Sequence, residues 1–282
     1  MKPLITAIGI TTFLFAGVQS YALPVVWDGS GGDNYWSTDS NWQGNSEPGI
    51  NADILLDGAN DAGDDTAVYD ASASATSFRT LTLAGSFTFD VDTNTDPDLN
   101  FTSISLSGSA TVTGDSPWNA GSLTIDADTP GAARSLTVTG SSLTVSTDTT
   151  IIGDVTDAST DYDASLTVSG GTFDPAAFYL YGGDPGATYH GQAYFKLDES
   201  GTLTAPDSIT MQGNSKFETE QTITLSGVTL TVQPDNTDNY ATEAVARVVD
   251  AAETMTVGTL TIGGANYSSK LTFTGSGKLA TN

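Results

Sequence analysis

The chain has 282 residues, a formal net charge of −26 and 34 acidic side chains against eight lysines and arginines. This excess of negative charge excludes nucleic acid and anionic membrane surfaces as partners, because both would repel the protein. The absence of cysteine excludes thiol catalysis and cysteine-ligated metal sites, so the fold must be stabilised by packing and backbone hydrogen bonds.

The start of the chain has the pattern of an export signal. Lys2 gives a positive start, Leu4 to Val18 is an apolar stretch, and Ser20 to Ala22 is a small-x-small cleavage site. The apolar stretch is short for a transmembrane helix, although an uncleaved anchor is the alternative interpretation. We therefore predict a signal peptide at residues 1–22. The mature chain is then secreted or held at the cell surface, without inserting into the membrane.

Residues 23–60 form a segment rich in tryptophan and glycine. Trp27, Trp36 and Trp42 lie within sixteen residues and are three of the four tryptophans in the chain. Large aromatic side chains are usually buried for packing, so we predict that this segment caps the first turn of the fold. The alternative interpretation is an exposed platform on which sugar rings stack.

Residues 61–282 repeat a short motif. Each copy has an apolar residue, Thr or Ser, a second apolar residue, a small residue and then glycine; copies begin at Leu81, Ile104, Leu136, Leu166, Ile223, Leu260 and Leu271. Alternation of period two places the apolar residues on one face of a strand and the hydroxyl residues on the other. The glycine allows a tight corner before the next strand.

The spacing of the strands predicts stacked coils. Apolar strand positions recur at nearly equal steps along the series Leu81, Ile104, Leu123, Leu143 and Leu166. These steps match the length of a solenoid coil, which is commonly about 20 to 30 residues. We therefore predict an all-β fold, a right-handed parallel β-helix over residues 61–282, in which the first apolar residue of each copy points inward. A β-sandwich is the alternative, because it is also built from short strands at turn spacing.

Three later segments depart from the motif. We predict a looped-out insertion in residues 175–200, where aromatic residues replace the repeat. Tyr240 to Glu253 has a helix-forming composition but no clean helical face, so we predict an irregular strand pair there, with a short helix on a loop as the alternative. Residues 278–282 follow a repeat-like strand without a capping pattern. Because solenoid ends need caps, we expect the chain to be the front part of a longer protein.

The start of the mature chain has a distinctive set of residues: Trp27, Gly29, Trp36, Ser37, Asn41, Trp42, Pro48 and Gly49. In these positions it resembles the leader of bacterial secreted proteins that carry autotransporter-associated β-strand repeats. The Leu-Thr-Leu-x-Gly strands from Leu81 onward also resemble the repeats of that family. The resemblance implies an extracellular or cell-surface β-helix with a structural or adhesive role.

The sequence offers no complete catalytic set. His190 is the only histidine, and no nucleophile motif surrounds it. The segment Asn94 to Asp96 matches one motif of polygalacturonases, but the other motifs of that family are missing or incomplete. We therefore predict no catalytic residues, and a structural or adhesive module whose candidate partners are an extracellular glycan or another surface protein. The alternative is a β-helix that binds or cleaves polysaccharide.

Calcium is the one candidate cofactor. Asp92, Asn94, Asp96 and Asp98 occupy alternate positions, from which oxygen ligands can converge on one ion. Asp57 to Asp65 and the pair at residues 161 and 163 are further acidic turns. The alternative interpretation is that these side chains make solvated Asx turns.

Overall fold

The fold is a parallel β-solenoid of about 8 turns. The computed structural model describes residues 23–59, 65–91, 98–127, 132–153, 162–184, 191–234, 242–263 and 269–281. All strand neighbours along both sheets of this part run parallel, and most successive strands of the chain alternate between the two sheets. This confirms the predicted solenoid and contradicts the sandwich alternative. The right-handed sense, which parallel crossovers strongly prefer, stays a prediction.

The strands are short and closely spaced. In chain order they are β1 (Val25–Val26), β2 (Asp53–Asp57), β3 (Thr66–Tyr69), β4 (Ser77–Ala84), β5 (Ser86–Val91), β6 (Leu99–Leu106), β7 (Ser109–Gly114), β8 (Pro117–Asp126), β9 (Arg134–Thr139), β10 (Ser142–Ile152), β11 (Ala164–Ser169), β12 (Thr172–Tyr181), β13 (Ala193–Leu197), β14 (Thr202–Leu203), β15 (Ser208–Gln212), β16 (Ser215–Thr219), β17 (Ile223–Val232), β18 (Thr242–Val248), β19 (Thr254–Ile262), β20 (Ser269–Gly275) and β21 (Lys278–Thr281). A 3-10 turn, Asp39–Asn41, lies between β1 and β2.

The strands form two sheets. Sheet 1 has the spatial order β1-β2-β4-β6-β8-β10-β12-β15-β17-β19-β21, with β14 beside β12. Sheet 2 has the order β3-β5-β7-β9-β11-β13-β16-β18-β20. Successive coils add one strand to each sheet, so the inward side chains of the two sheets meet in one continuous core.

The first apolar residue of the motif points inward, as predicted. Leu81, Ile104, Leu136 and Leu166 are each at most 1% exposed. The first two lie in sheet 1, where Leu81 pairs with Ile104. The last two lie in sheet 2, where Leu136 pairs with Leu166. The same motif therefore serves both sheets.

The predicted coil spacing is wrong beyond Leu123. Leu81, Ile104 and Leu123 pair in register across three successive coils of sheet 1. Leu143 does not join this series, because it pairs with Trp118 at a different position of the same sheet. Leu166, which the spacing placed in the same series, belongs to sheet 2. The cause is that strands of both sheets alternate in the same way, so a repeated motif does not reveal which sheet a strand joins.

The true coil length varies because the loops differ. The coil that leads from Ile104 to its partner Leu123 is much shorter than the coil that leads from Phe178 to its partner Ile209. Insertions are tolerated between strands because lengthening a surface loop adds little closure entropy. Equal spacing in the sequence is therefore a poor guide to register in this protein.

Glycine at the corners is required by backbone proximity as well as by torsion angle. Gly114, the last residue of β7, has φ +94°, and a Cβ atom there would lie 2.0 Å from the carbonyl oxygen of Val91 in the preceding coil. Gly85, between β4 and β5, has φ +67°. The predicted role of glycine in turning the chain is therefore confirmed, and at Gly114 glycine also allows the coils to stack closely.

The tryptophan-rich segment closes the first coil. Trp27, Trp36 and Trp42 are at most 1% exposed. Trp42 packs edge-on against both others, with ring centroids 5.0 Å from Trp27 and 4.6 Å from Trp36. Trp36 in turn contacts Tyr69 of β3 and Phe78 of β4. The cap prediction is confirmed, and the sugar-platform alternative does not fit, because the rings are buried in the core.

The cap also covers the exposed strand edges of the first coil. Residues 41–43 lie antiparallel to β1, where the Gln43 N–H donates to the Val26 carbonyl at 2.8 Å. At the first strand of sheet 2, the Trp36 N–H donates to the Val68 carbonyl at 2.8 Å and the Val68 N–H donates to the Asn34 carbonyl at 2.7 Å. These bonds use backbone groups that would otherwise be free to pair with another strand.

The two irregular segments remain part of the solenoid. Residues 242–248 are strand β18, which agrees with the prediction of a strand over a helix in this region. Residues 175–181 lie in β12, and β13 pairs with β11 in continuous register. A break in the motif therefore does not interrupt the stacking, and the described part of the predicted insertion is confined to the connection between β12 and β13.

We expect Leu136→Asp to lower the free energy of unfolding by roughly 4 kcal/mol or more, because it places an unpaired charge in the core. Thr137→Asp, on the outer face of the same strand, is the matched control and should cost at most about 1 kcal/mol. Urea denaturation measures both. Equal stabilities of the two variants would contradict the inward assignment.

We expect Gly114→Ala to destabilise the protein more than Gly44→Ala does. Both glycines have φ near +90°, but a Cβ atom at Gly44 meets nothing within 4 Å. The control change should cost about 1–2 kcal/mol from backbone strain, and the clash with Val91 should add roughly 1–3 kcal/mol at Gly114. Paired thermal melts give the comparison, and a Gly114→Ala melt no lower than that of Gly44→Ala would rule out the close stacking.

Candidate functional surfaces

The predicted calcium ligands fall mostly outside the described residues. Asp92, Asn94 and Asp96 lie there, as does His190, while Asp98 immediately precedes β6. Among the residues that the structure describes, no group of three or more acidic or histidine side chains is placed to hold a metal ion. The calcium site stays a prediction. Of the other acidic turns, Asp163 accepts a hydrogen bond from the Gln192 backbone at 2.7 Å, which is a structural role.

The outer face of sheet 2 carries a regular array of hydroxyl groups. The outward positions of β7, β9 and β11 are all Ser or Thr, and we call these nine residues the hydroxyl array: Ser109, Thr111, Thr113, Ser135, Thr137, Thr139, Ser165, Thr167 and Ser169. Ser109, Ser135 and Ser165 pair in register, and so do Thr111, Thr137 and Thr167. The array therefore repeats at about 4.8 Å between coils and about 6.6 Å along each strand.

This array has a distinct surface chemistry. Each hydroxyl can donate one hydrogen bond and accept two, and each Thr adds a methyl group. None of the nine positions is charged, although the chain has a net charge of −26. Thr88 continues one row into β5, where Asp90 brings the first carboxylate. The array is thus a neutral patch on an acidic protein.

Charged side chains replace the array in later coils of the same sheet. The row that contains Thr167 continues with Lys196, Glu218 and Arg247, and then returns to threonine at Thr274. The neighbouring row passes from Ser165 to Tyr194 and then Lys216. The register of the sheet thus brings together residues from three different coils, and we name the group the ionic cluster: Tyr194, Lys196, Lys216, Glu218, Glu220 and Arg247.

Glu218 is the centre of the ionic cluster. Its carboxylate accepts hydrogen bonds from Arg247 at 2.7 Å and from the Tyr194 hydroxyl at 2.9 Å, and it forms a salt bridge with Lys216 at 2.8 Å. Lys216 also lies 4.5 Å from the centre of the Tyr194 ring. The Glu218 side chain is only 5% exposed, so these neighbours replace most of its water.

The cluster changes the acidity of its members. Burial by itself raises the pKa of Glu218, but the hydrogen bonds from Lys216, Arg247 and Tyr194 outweigh it and lower the pKa to about 2. Burial, followed by the hydrogen bond to Glu218, raises the pKa of Tyr194. Glu218 is therefore a fixed anion and Tyr194 a fixed donor at neutral pH, which suits a structural network better than proton transfer.

An aromatic pair interrupts the hydroxyl rows of sheet 1. Tyr179 and Tyr181 alternate with buried residues of β12, so they face outward, and their rings stack with centroids 5.8 Å apart at an angle of 28°. Tyr179 lies between Thr150 and Thr210 in the sheet. Partly exposed, stacked rings are the type of surface on which sugar rings are held.

Comparison with known proteins does not assign this chain to a family. A scan against protein-family models, a search of curated proteins and a search of solved structures found no match to this chain. No helix in the described residues is long and apolar enough to cross a membrane.

The depressed pKa of Glu218 predicts a specific acid sensitivity. The ionised carboxylate stabilises the fold fully above its ordinary pKa of 4.5, and this contribution is lost as the pH falls towards 2. Between these limits the parent should lose about 2–3 kcal/mol more stability than Glu218→Gln, measured by denaturation at each pH. Glu243→Gln, which removes an exposed carboxylate 3.8 Å from Lys270, is the control and should follow the parent. Identical pH profiles for the parent and Glu218→Gln would contradict the role of the cluster.

Proposed function

We propose that the chain is a non-catalytic structural or adhesive solenoid module, secreted or held at a bacterial cell surface. The hydroxyl array carries this proposal. It offers a neutral grid of hydrogen-bonding groups, whereas Lys196, Glu218 and Arg247, which replace it in later coils of sheet 2, form ion pairs within the ionic cluster. Such a surface can hold an extended polar partner by many weak bonds in parallel, and none of its nine residues is a general acid or base.

Two further observations support a scaffold. The core is continuous from the cap to the last coils, so the array is held on a rigid face. The resemblance of the tryptophan-rich leader to proteins with autotransporter-associated repeats favours the same role. We propose an extracellular glycan or another surface protein as partner, and export through the segment at residues 1–22.

A second candidate function is supported by the aromatic pair. Tyr179 and Tyr181 present stacked, partly exposed rings beside Thr150, Thr210 and Gln212. This combination of aromatic and polar groups fits the recognition of a polysaccharide chain. The alternative module therefore binds glycan through sheet 1 instead of sheet 2.

The test is the retention of beads coated with the mature chain, residues 23–282, on cellulose and chitin films. We expect retention to fall several-fold in the triple variant Thr111→Val, Thr137→Val and Thr167→Val, which removes hydroxyls without changing side-chain shape. The matched triple variant Thr82→Val, Ser105→Ala and Thr124→Val, which lies in register on three successive coils of sheet 1 away from Tyr179, should behave as the parent. Thermal melts confirm that both variants fold.

The other outcomes discriminate among the candidates. Loss of retention on Tyr179→Ala with Tyr181→Ala, but not in the sheet 2 variant, would favour the aromatic pair. No retention of the parent on any film contradicts adhesion to these glycans. Release of reducing ends or unsaturated products from pectin-type polymers, lost on Asp96→Ala or His190→Ala, would show that the protein is an enzyme.

A further inference from the structure

The aromatic pair of sheet 1 has a small neighbour on its own strand. Tyr179 and Tyr181 face outward from β12, and in their stack each ring covers one face of the other. The opposite face of the Tyr179 ring is turned back along the strand, over Ala177. This alanine is the preceding outward residue, since Phe178 between them is buried. An alanine side chain ends at its Cβ atom, so it leaves room for a flat ligand beside the ring.

Polar side chains flank Ala177 in the adjacent coils. Ala177 pairs in register with Asp148 of β10 and with Ser208 of β15. Neighbouring strands lie about 4.8 Å apart, so the Asp148 carboxylate and the Ser208 hydroxyl lie on either side of the alanine. Asp148 is exposed and Ser208 is half-buried. The arrangement combines an aromatic ring, a small apolar residue and hydrogen-bonding groups in two neighbouring coils.

Hydroxyl groups continue the same row along the solenoid. Ser208 pairs with Thr229 of β17, and Thr229 pairs with Thr259 of β19. Each of these residues precedes a residue of an inward row, so its side chain faces outward. A line of polar side chains therefore leads away from the Tyr179 ring, parallel to the solenoid axis.

We propose that Asp148, Ala177, Tyr179 and Ser208 form a subsite for one sugar unit of a neutral β-linked glucan, and that the glucan chain runs along the solenoid axis towards Thr259. This inference rests on the second candidate function, the module that binds glycan through sheet 1. It adds the class of glycan and the direction of the chain.

The chemistry of the subsite selects the class of sugar. A glucose ring has a flat face of C–H groups that packs against an aromatic ring, and its hydroxyl groups project from the rim. Rim hydroxyls can donate to the Asp148 carboxylate and exchange hydrogen bonds with Ser208. The Asp148 carboxylate and the net charge of −26 both repel polysaccharides that carry carboxylate or sulfate groups. The subsite therefore suits a neutral glucan.

The orientation of the ring gives the direction of the chain. A sugar that stacks on Tyr179 lies parallel to that ring and across the strand, so its glycosidic bonds point towards the neighbouring coils. The coils repeat at about 4.8 Å, which is close to the length of one sugar unit in an extended β-linked chain. Successive sugars can therefore meet Ser208, Thr229 and Thr259 in turn.

Isothermal titration calorimetry of the mature chain with cellohexaose tests the subsite. Tyr179→Ala should weaken binding about fivefold or more because the stacking surface is lost, whereas Tyr179→Phe, which keeps the ring, should bind as the parent does. Ala177→Leu should block the subsite. Ala84→Leu, at an outward alanine in an earlier coil of sheet 1, is the matched control and should bind as the parent does. Thermal melts check that each variant folds.

The length and charge of the sugar test the direction and the class. Cellobiose should bind several-fold more weakly than cellohexaose, because it reaches fewer coils. Thr229→Leu should weaken the binding of cellohexaose but not that of cellobiose. Equal affinities for the two sugars overturn the direction of the chain. Hexagalacturonate that binds as tightly as cellohexaose overturns the neutral class.

The remaining outcomes separate this inference from the functions proposed above. A parent that does not bind cellohexaose at any soluble concentration overturns the subsite, as does unchanged binding in both Tyr179→Ala and Ala177→Leu. If film retention nevertheless depends on Tyr179 and Tyr181, the second candidate function stands and only the subsite fails. If retention depends instead on the sheet 2 hydroxyls, the hydroxyl array is the adhesive surface and both the subsite and the second candidate fail.

Discussion

Hydrogen bonding between successive coils, in parallel and in register, underlies every other feature of this protein. Each strand pairs in register with the strand before it in the same sheet. A position that faces inward in one coil therefore also faces inward in the next coil. A residue such as Leu136 is buried because Ala110 and Leu166 lie in register on either side. The close approach of the coils then limits what the corners can hold, and Gly114 is the clearest example.

The same pairing in register determines how side chains are arranged on the outer surface. A hydroxyl in one coil lies directly above a hydroxyl in the next, so a preference for Thr on the wet face of a strand becomes a two-dimensional array. When a coil carries a different residue type at an outward position, that residue still lies in register with its neighbours, but the chemistry of the surface changes there. Thr167 is followed by Lys196, Glu218 and Arg247 at equivalent positions, and the neutral array gives way to a network of ion pairs. Position along the solenoid therefore determines surface character.

A ladder of this kind needs a cover on its first coil. The tryptophan-rich segment covers both the apolar cross-section and the backbone edges of the first coil. An uncovered first coil would expose apolar side chains and unpaired strand groups, which invite pairing with another chain. The acidic residues are unevenly distributed along the solenoid, since none lies beyond residue 253.

Local patterns in the chain were enough to predict the fold class, the inward rows and the cap. Period-two alternation and glycine corners do not depend on distant residues, so Leu81, Leu136 and the three leader tryptophans could be assigned without knowing which strands are neighbours. The neighbours themselves could not be predicted, because strands of both sheets alternate alike. The spacing of apolar residues therefore predicts the wrong neighbours for Leu143, and the sequence does not reveal that Glu218 and Arg247 lie together. Such side chains meet only after loops of unequal length bring their coils into register. A repeated motif specifies that coils will stack, but the lengths of the connections decide which residues become neighbours.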